Sequence, residues 1–314
     1  MMIEKLNQLS WAFRKPRRAL GVLYHVGMGV NQEYYKNREH TGTYVIDQDW
    51  DNLIILDGCR YDMFKKVCNL EGSLGSRISH GSNSAPFLNK NFSGKRLHDS
   101  IYITANPHVS GNIPVGTFYT AKNALIDHWD EELETVPPER MVEITLDYYE
   151  KFPNKRMITH WMQPHYPFIG PSGGDLQTKG IPEYDQQGNR VNKQDIRTVW
   201  RQLKFGEVDL ESVWKAYREN LEIALQNVED LVEELPGKTV ITSDHGNLVG
   251  DWIGPLPTRG FGHPQNLHVE ELVKVPWFTL EYEERRDVSS EKPIGRGQAD
   301  SSIVSDRLES LGYK

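Results

Sequence analysis

Short apolar runs rich in β-branched residues recur along this chain, each ending abruptly in polar residues, and longer stretches with helical spacing separate them. Asn52 to Leu56 reads N-L-I-I-L and stops at Asp57-Gly58; Val240 to Ser243 reads V-I-T-S and stops at Asp244-His245-Gly246. Ser100 to Ala105, Lys155 to Met162 and Val275 to Glu281 have the same character. Continuously apolar runs of this length predict strands buried on both faces. Between them, Ser212 to Leu235 carries Trp214, Tyr217, Leu221, Ala224, Val228, Leu231 and Leu235 on one stripe, ended by Pro236-Gly237. That spacing predicts the longest helix and makes its aromatics core residues. Pro138 to Phe152 has helical spacing through Val142, Leu146 and Tyr149. Strands alternating with helices predict an α/β fold, a mostly parallel central sheet with helices on both faces.

The remaining stretches divide the chain. Residues 1–45 read as an N-terminal extension, 46–285 as one domain, and 286–314 as a tail with a short helix over Ser302 to Leu311. Within the domain, 170–205 is polar and aperiodic, a predicted surface insertion, and Gly250 to Gly262 a predicted loop rich in Gly and Pro. The net charge of −8 over 314 residues gives no basic field to recruit nucleic acid. Two cysteines make no disulfide framework, so the expected location is cytoplasmic. Near the start, Trp11, Phe13 and Leu20 lie among Arg14, Lys15, Arg17 and Arg18, but Pro16, His25 and glycines break the apolar part. Neither an export signal nor a membrane span is expected; an extension packed on the domain is the favoured reading, with peripheral contact with an anionic membrane surface as the alternative. No P-loop or dinucleotide fingerprint occurs.

The strand ends carry the chemistry. Open α/β sheets bind ligands at the carboxyl ends of their strands, where neighbouring ends bring together residues remote in sequence. Asp57 and the pair Asp244-His245, almost two hundred positions apart, could therefore share one cation, and mixed oxygen and nitrogen ligation suits Zn²⁺ or Mn²⁺. Ser76 to Leu88 reads S-R-I-S-H-G-S-N-S-A-P-F-L. A hydroxyl beside a cation and just before a helix is a competent nucleophile, because both lower the cost of negative charge. Ser84, two residues before Pro86, is best placed, with Ser82 and Ser79 as alternatives. Arg60 and Asn106 are candidate substrate-binding residues, although Arg60 could equally pair with a carboxylate such as Asp62. His165 sits in a loop bracketed by Pro164 and Pro167, whose rigid backbone would hold the imidazole still, and His263, which follows Gly262, is a candidate for substrate contact or a second ion. His160 lies inside a strand and reads as a core residue.

Four motifs in order, N-L-I-I-L-D-G-C-R-Y-D, S-N-S-A-P, M-Q-P-H-Y-P-F and T-S-D-H-G followed by G-F-G-H-P, resemble the alkaline phosphatase superfamily, specifically its sulfatase-like branch. The ending D-R-L-E-S-L-G-Y is similar to that of archaeal sulfatase-like proteins. The resemblance implies an alkaline-phosphatase-like fold and metal-dependent cleavage or transfer of a phosphate or sulfate ester, glycan- or lipid-linked in one version. It implies one or two divalent ions (Zn, Mn, Mg or Ca), with Asp57, Ser84, Asp244 and His245 as ligands and Ser84 as nucleophile. His165 and His263 would be acid/base, substrate-contacting or second-metal residues. The chain departs from the family in two places. Ser84-Ala85-Pro86-Phe87-Leu88 lacks the arginine of the sulfatase signature, and no additional Asp-x-x-x-His ligand pair is visible. The reading is a phosphoester hydrolase or transferase, with a sulfatase or a non-catalytic scaffold of glycan assembly as alternatives.

Overall fold

The computed structural model describes residues 16–176 and 198–296, so the helix expected over Ser302 to Leu311 and most of the expected insertion lie outside the described residues. The chain opens with α1 (Pro16–Lys36), followed by β1 (Asn52–Leu56), α2 (Tyr61–Val67), β2 (Gly72–Ile78), α3 (Ser84–Phe92) and β3 (Leu97–Thr104). Next come α4 (Val109–Asn112), β4 (Phe118–Asn123), α5 (Ala124–Asp127), α6 (Pro138–Lys151) and β5 (Arg156–Trp161). After residue 198 follow α7 (Val199–Phe205), α8 (Leu210–Glu234), β6 (Thr239–Ser243), β7 (Leu248–Ile253), β8 (Thr258–Gly262), α9 (Glu270–Val273), β9 (Lys274–Leu280) and β10 (Gly295–Arg296).

Eight strands form one sheet in the order β10-β4-β3-β5-β1-β6-β9-β2. Its centre is parallel, with β1 between β5 and β6, and among the described strands β9 alone runs against the rest, pairing antiparallel with both β6 and β2. The mixed, mostly parallel α/β architecture is therefore the one the apolar runs predict. Period-two alternation splits the core into two layers. Leu53, Ile55, Tyr102, Ile158 and Val240 pack on Phe87, Leu88 and Phe92 of α3. Their neighbours Ile54, Leu56, Ile101, Met157 and Ile241 pack on the other face against Met141 and Ile144 of α6 and the stripe of α8, including Tyr217, Leu221 and Val228. Burying a side chain of this size contributes roughly 1.5–3 kcal/mol.

Two stretches expected to be irregular are not. Residues 250–262 contribute to an antiparallel hairpin, β7 with β8, whose strand signal is diluted by glycines. A register shift falls between Val249 and Trp252, and Gly250 there has φ +83°, a left-handed conformation that side chains disfavour. Within 170–205, Val199–Phe205 is helical, capped by the Thr198 hydroxyl, which accepts from the Arg201 amide, and ended by Gly206 at φ 68°. Trp200 anchors it against Tyr166, Phe168 and Tyr217. Helix α1 lies against the hairpin, where the Asn31 side chain exchanges two hydrogen bonds with the Leu256 backbone at 2.8 and 2.9 Å.

Candidate metal centre and nucleophile

Sheet register is what assembles the site. Leu56 is paired with Ser243 on one side and Trp161 on the other, so the residues immediately beyond, Asp57 and Asp244, emerge side by side at the same edge. Alternation puts Leu53, Ile55 and Asp57 on one face, together with Val240, Thr242 and Asp244, and with Ile158 and His160. This is the face that α3 covers, so the first residue of that helix, Ser84, points its hydroxyl into the same space. Gly58 holds φ +65°, and a Cβ there would meet the Asn247 side chain at 2.6 Å. That turn lets the Gly58 amide donate to Asp244 Oδ1 at 3.1 Å, while the His245 amide donates to the same oxygen at 2.8 Å.

Every group at the centre is buried: Asp57, Asp244, His245, His165 and His160 are 0% exposed and Ser84 1%. The Asn106 amide donates to Asp57 Oδ2 at 2.6 Å and to Ser84 Oγ at 2.9 Å, tying the nucleophile candidate to the carboxylate. Ser84 Oγ is 3.4 Å from His245 Nε2, which lies 3.5 Å from both Asp57 Oδ1 and Asp244 Oδ2. Those two carboxylate oxygens have no hydrogen-bond partner among the described residues. Two converging buried carboxylate oxygens without donors are expensive, and a divalent cation is the ordinary remedy. Burial, reinforced by the charge of Asp244, pushes Asp57 well above the usual carboxylate range. Burial opposes ionisation at Asp244 too, but the imidazoles of His245 and His160 hold it below the ordinary value. One carboxyl of the pair thus keeps its proton until a cation replaces it.

The imidazoles are prepared in the same sense. His165 and His245 have Nδ1 against the carbonyls of Tyr166 and Gly246, at 2.7 and 2.8 Å. Facing an acceptor, Nδ1 carries the hydrogen and Nε2 is left with a lone pair directed at the centre, the tautomer a metal ligand needs. His165 Nε2 lies 3.1 Å from His263 Nε2. Burial lowers His165 to about 3 and takes His263 well below its ordinary value, so both rings are neutral at pH 7. The donor set therefore fits a first divalent cation at Asp57, Asp244 and His245, and the pair His165 and His263 suits a second.

Most residues singled out in the sequence do meet here. Ser82 and Ser79 differ from Ser84 in that their hydroxyls are spent on the backbone carbonyls of Pro264, at 2.7 Å, and of Asp244. Arg60 is drawn away from the cluster: it donates to Asp62 and Asp251, each at 2.8 Å, and to the Asn247 carbonyl at 2.9 Å, and its guanidinium covers Trp214. His160, which sequence reading left in the core, enters the site, and so does Tyr102, which it did not single out. His160 Nε2 lies 3.6 Å from Asp244 Oδ2, and His160 belongs with Asp57 and Asp244 to the group whose ligand atoms come within 4.8 Å of one another. Tyr102 meets the other nitrogen of the same ring. The signal was present in the alternation, since Ile158 and His160 share the face of Ile55 and Asp57, but only strand order makes it readable.

No protein-family profile matches the chain, and no curated protein does. Among solved structures the chain is similar to the C-terminal periplasmic domain of phosphoethanolamine transferase EptC from Campylobacter jejuni, at 12% identity and a TM-score of 0.41, covering 73% of this chain and 77% of that one. It is similar also to the periplasmic domain of EcEptC from Escherichia coli in complex with zinc, at 12% identity, TM-score 0.39, with 77% and 76% covered. A third is the phosphonate monoester hydrolase of Agrobacterium radiobacter, at 11% identity, TM-score 0.44, with 73% and 67% covered. These are alkaline phosphatase superfamily proteins of the sulfatase-like branch, the family the motifs resemble. The cytoplasmic expectation is corrected by the two periplasmic domains among them. Cysteine usage could not have decided the compartment, because Cys59 is fully buried and Cys68 half-buried, and neither is paired. Among the described residues no helix is long and apolar enough to cross a membrane.

Proposed function

We propose that the chain is a divalent-cation-dependent enzyme that cleaves or transfers a phosphoester, with Ser84 as its nucleophile. The observation that carries this reading is the position of Ser84 Oγ: at the first residue of the nine-residue helix α3, 2.9 Å from the Asn106 amide and 3.4 Å from His245 Nε2. A bound cation would supply Lewis-acid polarisation of the ester and lower the pKa of the alcohol. Asp57, Asp244 and His245 would hold it. Because Asn106 donates to Oγ, the hydroxyl's own hydrogen points away from that amide, towards the carboxylate side. Oγ then attacks phosphorus in line, the bond to the leaving alcohol breaks, and water or an acceptor alcohol later releases the phosphoryl group. The amides at the start of α3 favour the incoming negative charge. His165 and His263, uncharged at neutral pH, bind the leaving-group side or a second cation.

The choice of phosphate over sulfate rests on Leu88. It occupies the arginine position of the sulfatase signature and is 0% exposed, packed with Phe87 and Phe92. A non-catalytic scaffold that keeps a structural metal would need the ligating tautomers but no tethered serine. Aryl phosphate, phosphodiester and sulfate ester turnover with Zn²⁺, Mn²⁺ and Mg²⁺ tests the reading, together with trapping of a covalent phosphoenzyme. Ser84→Ala is expected to abolish the labelled intermediate and lower turnover by at least about 10³-fold. A blank panel on protein that retains its metal would overturn catalysis, and label persisting in the variant would move the nucleophile.

A further inference from the structure

Proximity alone makes His160 a third ligand beside Asp57 and Asp244. The hydrogen-bond pattern around its ring says otherwise. His165 and His245 have Nδ1 against carbonyl oxygens, which can only accept. The Nδ1 of His160 instead meets the hydroxyl of Tyr102 at 2.8 Å, a group able to donate. On the other side of the ring, Nε2 looks at Asp244 Oδ2 across 3.6 Å, and neither atom has a hydrogen-bond partner among the described residues. A bare Nε2 lone pair facing a buried carboxylate oxygen would be repulsive, whereas a protonated Nε2 gives that oxygen the donor it lacks.

We propose that Tyr102 and His160 form a positioning relay for the metal centre: Tyr102 donates to Nδ1, and the Nε2–H of His160 orients Asp244 Oδ2 from behind, so that His160 is a positioning residue and not a ligand. The fold suits the task. Tyr102 and His160 lie on the adjacent strands β3 and β5, where Ile158 pairs with Tyr102 and His160 with Thr104, and both side chains stand on the face of Asp57 and Asp244. Both are 0% exposed, and Tyr102 is clamped by Phe92 and Phe118, with ring centroids 5.4 and 4.8 Å away. Its hydroxyl is therefore delivered to the imidazole by packing. The same cluster thus sorts its histidines by what faces Nδ1: a carbonyl leaves Nε2 bare and ligating, a hydroxyl leaves it protonated and donating.

The inference rests on the metal-centre reading, but its test separates the two. Zn²⁺ content and affinity are measured by elemental analysis and chelator competition on the full chain, and the tautomer by ¹⁵N chemical shifts of metal-free protein. The expected result is the Nε2–H tautomer for His160 and the Nδ1–H tautomer for His165 and His245. His160→Gln places an amide donor near the Nε2 position and is expected to keep full Zn²⁺ stoichiometry with affinity within a few-fold of the parent. His160→Leu, which cannot donate, is expected to lose about 10–100-fold in affinity, the usual cost of removing such a support. Tyr102→Phe is expected to let the ring change tautomer. A bare Nε2 in the parent protein, or loss of one equivalent of Zn²⁺ in His160→Gln that still melts cooperatively, would overturn the relay. No Zn²⁺ bound by the parent would instead overturn the metal centre, while the tautomer measurement would still decide the relay.

Discussion

Asp57 is the residue at which stability and function pull in opposite directions. Its folded pKa is raised above the unfolded value, so its favourable contribution exists at low pH and is lost as pH rises through the folded pKa. At neutral pH in the absence of metal, this carboxyl beside Asp244 is a liability. Asp57→Asn keeps the acceptor for Asn106 and removes the titratable carboxyl, so folding no longer has to protonate it or bury its charge. The expected outcome in EDTA at pH 7 is a Tm raised by about 2–4 °C, on the order of 1 kcal/mol for a chain of this size. The same variant is expected to lose Zn²⁺ uptake. A lowered Tm in EDTA would mean that the pair is not strained without its cation. Asp57, Asp244 and His245 were legible because each follows an apolar run that stops at a glycine or a polar pair. Ser84 was preferred for its place two residues before Pro86, but the partners that set it apart from Ser82 and Ser79, whose hydroxyls meet backbone carbonyls, were not legible locally.

Among the elements, α8 shows how a helix predicted for its apolar stripe also serves the site. Asn220, fully buried on it, donates through one amide to the carbonyls of Pro164, His165 and Pro167, at 3.3, 3.1 and 3.1 Å, and accepts from the Ile169 amide at 2.8 Å. The loop that presents His165 is thereby fastened to a rigid body. Asn220→Ala leaves those buried groups without a partner and is expected to cost about 1–3 kcal/mol in urea denaturation. Faster hydrogen exchange at Ile169 and weaker retention of a second Zn²⁺ should accompany it; unchanged exchange there would show that the loop holds itself. Periodicity found this helix but not Asn220, since a polar residue inside an apolar stripe has meaning only once the facing loop is known. The β7–β8 hairpin was missed for a related reason, its glycines reading as a loop until strand pairing gave them a role.

For the whole molecule, pH is the broadest test. In the metal-free protein His165 is lowered to about 3, His108 to about 4, and His263 well below its ordinary value, each chiefly by burial. All three lie below the unfolded value near 6.5, so the unfolded chain takes up protons first. Their stabilisation is complete above that value and is lost as pH falls towards 4. Asp57 has the opposite sign and opposes them, so the three rings, at about 1.4 kcal/mol each, set an upper bound on the slope of about 4 kcal/mol per pH unit. Urea midpoints in EDTA are expected to fall between pH 7 and pH 5, and a flat profile would show that these rings are solvated. What the sequence determined alone is the five apolar strands β1, β3, β5, β6 and β9 and the chemistry at their ends, because apolar runs and breakers act over a few residues. What the tertiary structure decided is which ends are neighbours. Parallel pairing joins segments almost two hundred residues apart, and its register, invisible in any window of sequence, sets Asp57 beside Asp244, brings Ser84 over both and turns His160 from core to support.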